Sequence, residues 1–425
     1  MSKNTIVHID LGGSHITALA GIVLDSGELK ILGEQTRASD DVKSGIVEKI
    51  SGAAYKINET TKLLQNALRI DPITSVSITV NAKSMKQIPY TLKANIRKPV
   101  TEGMLKELEK ECKQEIKNDK TNVIECIPLA YYMDGKRIAD PIGQKGYNLR
   151  TDYNLIVCNS LVTETIERSI ERTGIAVDYI HLGMEAIATA VLEEDDREKG
   201  CAIISFGSTT TTLAVYHEGV LQELMVVPFG GHNITKDIEE LGISFSNAEL
   251  LKCKTGSAME ELITKPVNVQ IPNVDPTREP ILISTKFLST IINARLDEIL
   301  EPILGQIDQI AYPLKAGIVI TGGASKLKNL NEYLTKRTGL QVRTGSHAEW
   351  LSYDTDPKYK DPVYSQAIGA ILLTDDKKKQ KGEEEKVIQS RIPSKNIFTK
   401  AGLKFKEKMN DLFDYDDIEQ EKNNQ

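Results

Sequence analysis

The chain has 425 residues, a formal charge of −7 and 40% hydrophobic residues, so it carries apolar material for two or more cores and no basic excess with which to displace counterions from nucleic acid. Its five cysteines (Cys112, Cys126, Cys158, Cys201, Cys253) form no C-x-x-C pair and have no histidines at metal-ligand spacing, which reads as reduced thiols and not as a zinc module. No segment reaches the roughly 20 apolar residues of a transmembrane helix and MSKNTIVHID lacks a signal-peptide pattern, so a membrane is expected to be met only at its cytoplasmic surface.

In chain order, the first element is a hairpin: TIVHID is an apolar strand, Gly12-Gly13 with small polar residues makes a turn, and ITALAGIVL returns. Such a turn points several backbone N–H groups one way, and glycine lets a phosphate approach them. Asp10 is suited to hold a hydrated Mg²⁺ while the amides of Gly12, Gly13, Ser14 and His15 take a phosphate. Alone, a turn of this kind is more often an ordinary hairpin. Helical periodicity follows at 47–69 and a strand at SVSITV. Residues 82–152 then change character: short strands, a charged helix over 101–117 and the turn-rich MDGKRIADPIGQKGYNL suggest a small α+β module inserted into the first half. The strand YNLIVC and a helix over 160–173 resume that half.

At 200–221 the opening order returns, with the strand CAIISF, a break at Gly207, the hydroxyl run STTTT and the strand LAVY. Two copies about half a chain apart suggest related halves with a ligand between their turns, although two unrelated hairpins would read the same way. Residues 232–309 are mostly helical with a proline-bearing excursion at 266–280, and AGIVITGGAS is a third strand ending in a glycine turn, Gly322-Gly323. After Leu373 the composition shifts to DDKKKQKGEEEK, expected as a solvated, flexible linker over 375–394. It leads to an amphipathic helix over 395–415. At about 100° per residue Phe398, Phe405, Met409, Leu412 and Phe413 share one face and Lys400 and Lys404 lie opposite. The apolar face is expected to enter the headgroup region while Lys395, Lys400, Lys404, Lys406 and Lys408 meet anionic lipids; packing on the domain or in a partner's groove is the alternative. Residues 416–425 read as a disordered tail.

Three glycine turns in this order, with MEAIATAVL and YSQAIGAIL as connecting helices, resemble the actin-like ATPase superfamily. Within it, VPFGGHNITKDIEELGISFSNAELLKCKTG and IECIPLAYYMDGKRIADPIGQKGYNL are similar to the FtsA family of bacterial cell-division proteins, the second stretch to that family's inserted module. The resemblance covers about residues 5–373, and the terminal helix extends it. It implies an α/β, two-lobed actin-like fold of duplicated ribonuclease H-like domains, with an inserted α+β subdomain and a C-terminal amphipathic helix. The lobes would be 1–81 with 153–193, and 194–229 with 310–374. The inserted subdomain would span 82–152 and a helical subdomain 230–309.

The resemblance further implies ATP with Mg²⁺, the metal held by Asp10 through water. Asp10, Gly12, Gly13, Ser14 and His15 would take one side of the phosphates, and Ser205, Gly207, Ser208, Thr209 and Thr210 the other. Gly322, Gly323 and Ala324 would lie against base and ribose, with Glu249 and Lys252 reaching ribose and adenine. Glu185 would place the attacking water, a helix-cap or surface acid being the plainer reading. Ser205 stands where the superfamily places an aspartate, and Ser208 and Thr209 at glycine positions, so binding of ATP with slow or absent hydrolysis is expected. Implied partners are FtsZ through its C-terminal peptide, the chain itself as a homopolymer, later division proteins and anionic inner-membrane lipids, at the cytoplasmic membrane face of the division site. A pilus-assembly relative, a small-molecule kinase and an Hsp70-like chaperone are the alternatives, disfavoured in turn by the terminal helix, the insertion and the absence of a long β-rich continuation.

Overall fold

The computed structural model describes residues 5–391 apart from residue 276, and the backbone alone over 382–391. Residues up to Asp376 form one compact unit. Its first strands are β1 (Ile6–Leu11), β2 (His15–Val23) and β3 (Leu29–Ala38), followed by helix α1 (Ile50–Leu68) and strand β4 (Ser75–Val80). The apolar runs explain the meander: Ile6–Ile9 on β1 and Ala18–Gly21 on β2 are buried without a break, as in strands covered on both faces. Helix α1 packs Ile57 and Leu64 into the same core.

The inserted module comprises β5 (Lys86–Asn95), α2 (Glu102–Ile116), β6 (Thr121–Met133), β7 (Lys136–Ile138) and β8 (Asn148–Asn159). Its strands pair in the order β5-β8-β6-β7, all antiparallel. Thr101 caps α2 by accepting from the Met104 amide, and α2 buries Leu108 and Cys112 against the sheet. The expected boundary at 152 falls inside β8, because that strand continues unbroken from the module to Ile156 and Cys158, which pack in the first lobe's core. Helix α3 (Ser160–Glu171), strand β9 (Ala176–Leu182), helix α4 (Gly183–Val191) and the short α5 (Glu194–Lys199) complete the first half.

The second half repeats the first. Strands β10 (Cys201–Phe206), β11 (Thr211–His217) and β12 (Val220–Val227) form a meander. Helices α6 (Gly231–Glu239) and α7 (Phe245–Thr255) follow, then the hairpin β13 (Asn268–Ile271) and β14 (Ile281–Ser284), which accounts for the proline-bearing excursion. Helix α8 (Thr285–Asp308), β15 (Ile318–Thr321), α9 (Leu330–Thr338), β16 (Val342–Thr344) and α10 (Ser365–Arg391) end the described chain. The first sheet runs β9-β4-β1-β2-β3 and the second β16-β15-β10-β11-β12. In each, the opening strand is central, antiparallel to the next strand and parallel to the later one. Side-chain period two sorts β10: Cys201 and Ile203 join one core, while Ala202, Ile204 and Phe206 join another that includes the buried face of α8. Helices α4 and α10 cross so closely that a methyl on Gly369 would overlap the Ala186 carbonyl.

Residues 375–391, expected as flexible linker, belong to α10. Lysine, glutamate and glutamine are strong helix formers, so a run too polar for a core still extends a helix that has already nucleated. The expected lipid-facing residues Phe398, Lys400, Lys404, Phe405, Lys408, Met409, Leu412 and Phe413, with the rest of 395–415 and the tail, lie outside the described residues. Among the described residues no helix is long and apolar enough to cross a membrane.

Candidate functional site

Three turns converge on one cleft of about 1140 Å³. After Asp10 and Leu11 the chain reverses through 12–14 into β2. After Phe206 it reverses through 207–210 into β11, closed by the Gly207 amide donating to the Thr210 carbonyl at 2.9 Å. After Thr321 it turns at Gly322 with φ 89°, where a side chain would be strained and would also strike the Phe206 backbone. Asp10 lies opposite Thr17 in the first hairpin, as Ser205 lies opposite Thr212 in the second. Topologically equivalent positions thus carry a carboxylate on one side and a hydroxyl on the other.

The expected residues of both hairpins (Asp10, Gly12, Gly13, Ser14, His15; Ser205, Gly207, Ser208, Thr209, Thr210) all line this cleft, as do Gly322, Gly323, Ala324, Glu249 and Lys252. The amides of α6 are tied to the second turn: Gly231 N–H donates to the Gly207 carbonyl (3.0 Å) and His232 N–H to the Ser208 carbonyl (2.8 Å).

Burial pushes the Asp10 carboxyl up to about 6, and a hydrogen bond from Gln366 partly opposes this. Gln366 Nε2 donates to Asp10 Oδ1 at 2.9 Å and to Thr79 Oγ1 at 2.8 Å, while its Oε1 accepts from Asn81 Nδ2 at 2.7 Å. The neighbouring Ser365 hydroxyl lies 2.9 Å from Thr321 Oγ1 at the end of β15. The first turn of α10 therefore touches the strand ends of both lobes. Sequence reasoning alone misses Thr79, Asn81, Thr321, Ser365 and Gln366. The only signal for them is positional: Asn81 follows and Thr321 ends a strand parallel to the one bearing Asp10 or Ser205, and Gln366 sits within YSQAIGAIL.

The oxygen chemistry fits Mg²⁺ with a phosphate chain. Among the described residues Asn81 Oδ1 is buried without a hydrogen-bond partner, and Asn81 shares Gln366 as a partner with Asp10, whose raised carboxyl a cation would return to its ionised form. Among the described residues no group of three or more His, Cys, Asp or Glu is placed to hold a metal. Mg²⁺ needs no such cage, since it takes most ligands from phosphates and water.

At the other end, Lys252 is buried with Nζ 2.9 Å from the Gly231 carbonyl, 2.8 Å from Thr235 Oγ1 and 2.8 Å from Glu249 Oε2. Three ammonium protons meet three acceptors, so Lys252 fastens α7 to α6 and shapes the wall instead of offering its protons to a ligand. Burial works against ionisation of Glu249, yet hydrogen bonds from Lys252 and Thr235 hold its carboxyl below the usual range. His232 and Phe245, which the sequence does not mark, line the same region with ring centroids 5.0 Å apart. Burial and the charges of Lys236 and Lys252 keep the His232 imidazole below its ordinary pKa.

Glu185 is not brought to the cleft. It lies in the first turn of α4, where its carboxylate accepts from Arg197 Nη1 at 3.0 Å and from the Tyr216 hydroxyl at 2.7 Å. The Arg197 guanidinium in turn lies over the Tyr216 ring. Both carboxylate oxygens are engaged in this partly buried triad, so Glu185 does not place a water in the cleft.

A family profile described as cell division protein FtsA matches residues 202–369. The chain is 28% identical over 369 residues to cell division protein FtsA of Neisseria meningitidis serogroup B, covering 85% of this chain and 88% of that protein. Among solved structures, a PilM-PilN type IV pilus biogenesis complex superposes with a TM-score of 0.61 at 14% identity, covering 86% of this chain and 97% of that one. MreB5 of Spiroplasma citri, solved with ADP bound, superposes with a TM-score of 0.57 at 12% identity, covering 89% and 98%. At such identities the structural likeness bears on the fold, which is that of the actin-like ATPases.

Proposed function

The chain belongs to the FtsA family of bacterial cell-division proteins, and on that premise we propose that it is an ATP-binding, filament-forming protein of the cytoplasmic membrane face that tethers FtsZ filaments there and recruits later division proteins. The observation that carries the nucleotide part is the convergence of two equivalent hairpin turns and a third glycine turn on one cleft, which the half-buried carboxylate of Asp10 also lines. Backbone amides of 12–15 and 208–210 bind phosphate oxygens, and Gly322, Gly323 and Ala324 allow close approach of base and ribose. Bound Mg²⁺ would neutralise phosphate charge, with Asp10 as the protein's anionic oxygen and Asn81 as a neutral one.

Slow turnover follows from the same residues. Ser205 brings no charge to the position equivalent to Asp10, and Glu185 is held elsewhere by Arg197 and Tyr216. Nucleotide then acts mainly as a conformational ligand, stabilising the closed arrangement of the lobes.

The membrane part rests on the amphipathic pattern at 395–415. One such helix, with Asp411 and Asp414 near its end, binds weakly, and a filament presenting many copies binds by avidity. The test is sedimentation of purified FtsZ with anionic vesicles, using the full chain and a chain ending at Thr374. The full chain is expected to carry FtsZ onto vesicles and the shortened chain to leave it in solution; equal recruitment by both would contradict the tether.

A further inference from the structure

The three turns at 12–15, 207–210 and 322–324 contain no lysine or arginine. Among the described residues three lysines and no arginine line the cleft: Lys56, Lys252 and Lys326. Lys252 spends its protons on three protein acceptors. Lys326 has 54% of its side chain in solvent and pairs with Asp361 at 2.7 Å. Lys56, on α1, is placed differently. Its Nζ is 2.8 Å from Asp41 Oδ2, whereas Asp40 Oδ1 is 3.5 Å away and Asp40 is already held through Oδ2 by Lys49 at 2.8 Å. An ammonium carries three protons, so the short contact to Asp41 leaves two for other oxygens.

Asp41, with 4% of its side chain exposed, does not itself line the cleft, whereas Lys56 does, with 23% exposed. The carboxylate is fixed in place. Its Oδ2 accepts from the Ser39 hydroxyl at 3.1 Å, the Asp41 amide donates to Ser39 Oγ at 3.2 Å, and a methyl on Gly52 in the first turn of α1 would overlap Oδ1. Asp41 thus stands behind the ammonium and holds it at the cleft wall. That wall adjoins the Asp10 network: Gly45, in the tight hairpin after Asp41, packs so closely on Asn81 that a methyl there would overlap the Asn81 carbonyl.

Resting on the nucleotide reading above, we propose that Lys56 is a binding residue of the cleft that donates to a phosphate oxygen of the ligand, with Asp41 as its positioning residue. The phosphate chain is the anionic part of a nucleotide, so the assignment holds whichever way the nucleotide lies. Asp40 and Asp41 balance Lys49 and Lys56, so the effect is short-range: a charge-assisted hydrogen bond and not a field. The competing role is that of a counter-ion to a buried carboxylate. The two roles differ in consequence: a counter-ion becomes dispensable once Asp41 is neutral, and a ligand contact does not.

The test is calorimetric titration of the full chain with Mg·ATP, for the native protein, Lys56→Met and the double variant Lys56→Met with Asp41→Asn, each followed by thermal melting. Lys56→Met strands a buried carboxylate and is expected to melt below the native chain, and Asp41→Asn should recover most of that loss. Affinity should not recover: both variants are expected to bind Mg·ATP at least tenfold more weakly than the native chain. Labelling of the native chain with acetic anhydride, read by mass spectrometry, needs no variant, and saturating Mg·ATP should protect Lys56 at least fivefold. Native affinity in the double variant, or labelling of Lys56 indifferent to bound Mg·ATP, would overturn the assignment of Lys56 and leave the nucleotide reading standing. Failure of the native chain to bind Mg·ATP would overturn the nucleotide reading and this inference with it.

Discussion

His8 shows how one residue in the first strand ties stability to pH. It is fully buried on β1, the strand that carries Asp10 to the site, with Nδ1 3.2 Å from the Ser77 hydroxyl. Burial, and secondarily the charge of His181, lower its pKa from 6.5 to about 3. An unfolded histidine takes up a proton near 6.5 and the folded one does not until about 3, so the unfolded state binds more protons throughout that interval. The stability that neutral His8 confers is therefore present above the unfolded pKa and is lost as the pH falls toward the folded one. From about pH 7 to about pH 5 the loss is expected to be about 2 kcal/mol. Urea unfolding of the native chain and of His8→Leu at both pH values measures it: the native chain should lose about 2 kcal/mol more than the variant over this interval. Nothing in the sequence marks His8, because one histidine in an apolar strand looks the same whether it is core or ligand. Asp10, two residues on, stands out only in company: one strand-glycine-turn hairpin reads as ordinary, and it is the recurrence of the pattern near Ser205 and Gly322 that singles it out.

Among the elements, α10 joins the fold to the site. Its apolar side (Ala367, Ile368, Ala370, Ile371, Leu372) is buried, and its first turn holds Asp10, Thr79 and Asn81 through Gln366 and Thr321 through Ser365. Replacing Gln366 by Leu leaves the Asn81 amide and the Asp10 carboxylate without their shared partner, at an expected cost of about 2–3 kcal/mol in chemical unfolding. Gln366→Glu should cost more at neutral pH, because it sets a second carboxylate 2.9 Å from the first. Equal stability of both variants and the native chain would show that the network contributes nothing to the fold. The helix itself is visible in the sequence as YSQAIGAIL, but its role is not. Which strand ends Gln366 meets depends on how the two sheets are set against α4 and α10, a tertiary fact with no local signature. Its length is obscured for the opposite reason: Lys and Glu after Leu373 read as solvated charge, although the same residues favour helix. The boundary at 152 fails similarly, since one long strand, β8, serves both the module and the lobe.

At the scale of the whole molecule the governing feature is duplication. Two strand-turn-strand motifs half a chain apart are legible because glycine turns between apolar runs are local patterns. The structure extends the likeness to five strands per sheet in matching order. Duplication explains why the site lies where the opening strands of both sheets end. Divergence between the copies explains its character: Asp10 against Ser205, and a turn of Gly12 and Gly13 against one that carries Ser208 and Thr209. Glu185 is misleading in sequence because acidic residues on a connecting helix look alike there, whereas Arg197 and Tyr216 decide which way this one turns. Whether the converging turns hold nucleotide through Asp10 and its cation is tested most directly by calorimetric titration of the full chain with ATP, with and without Mg²⁺, and by the same titration of Asp10→Asn. One nucleotide per chain, dependence on Mg²⁺ and at least a tenfold loss of affinity in Asp10→Asn are predicted; no binding, or binding indifferent to both Mg²⁺ and Asp10, would contradict the nucleotide reading.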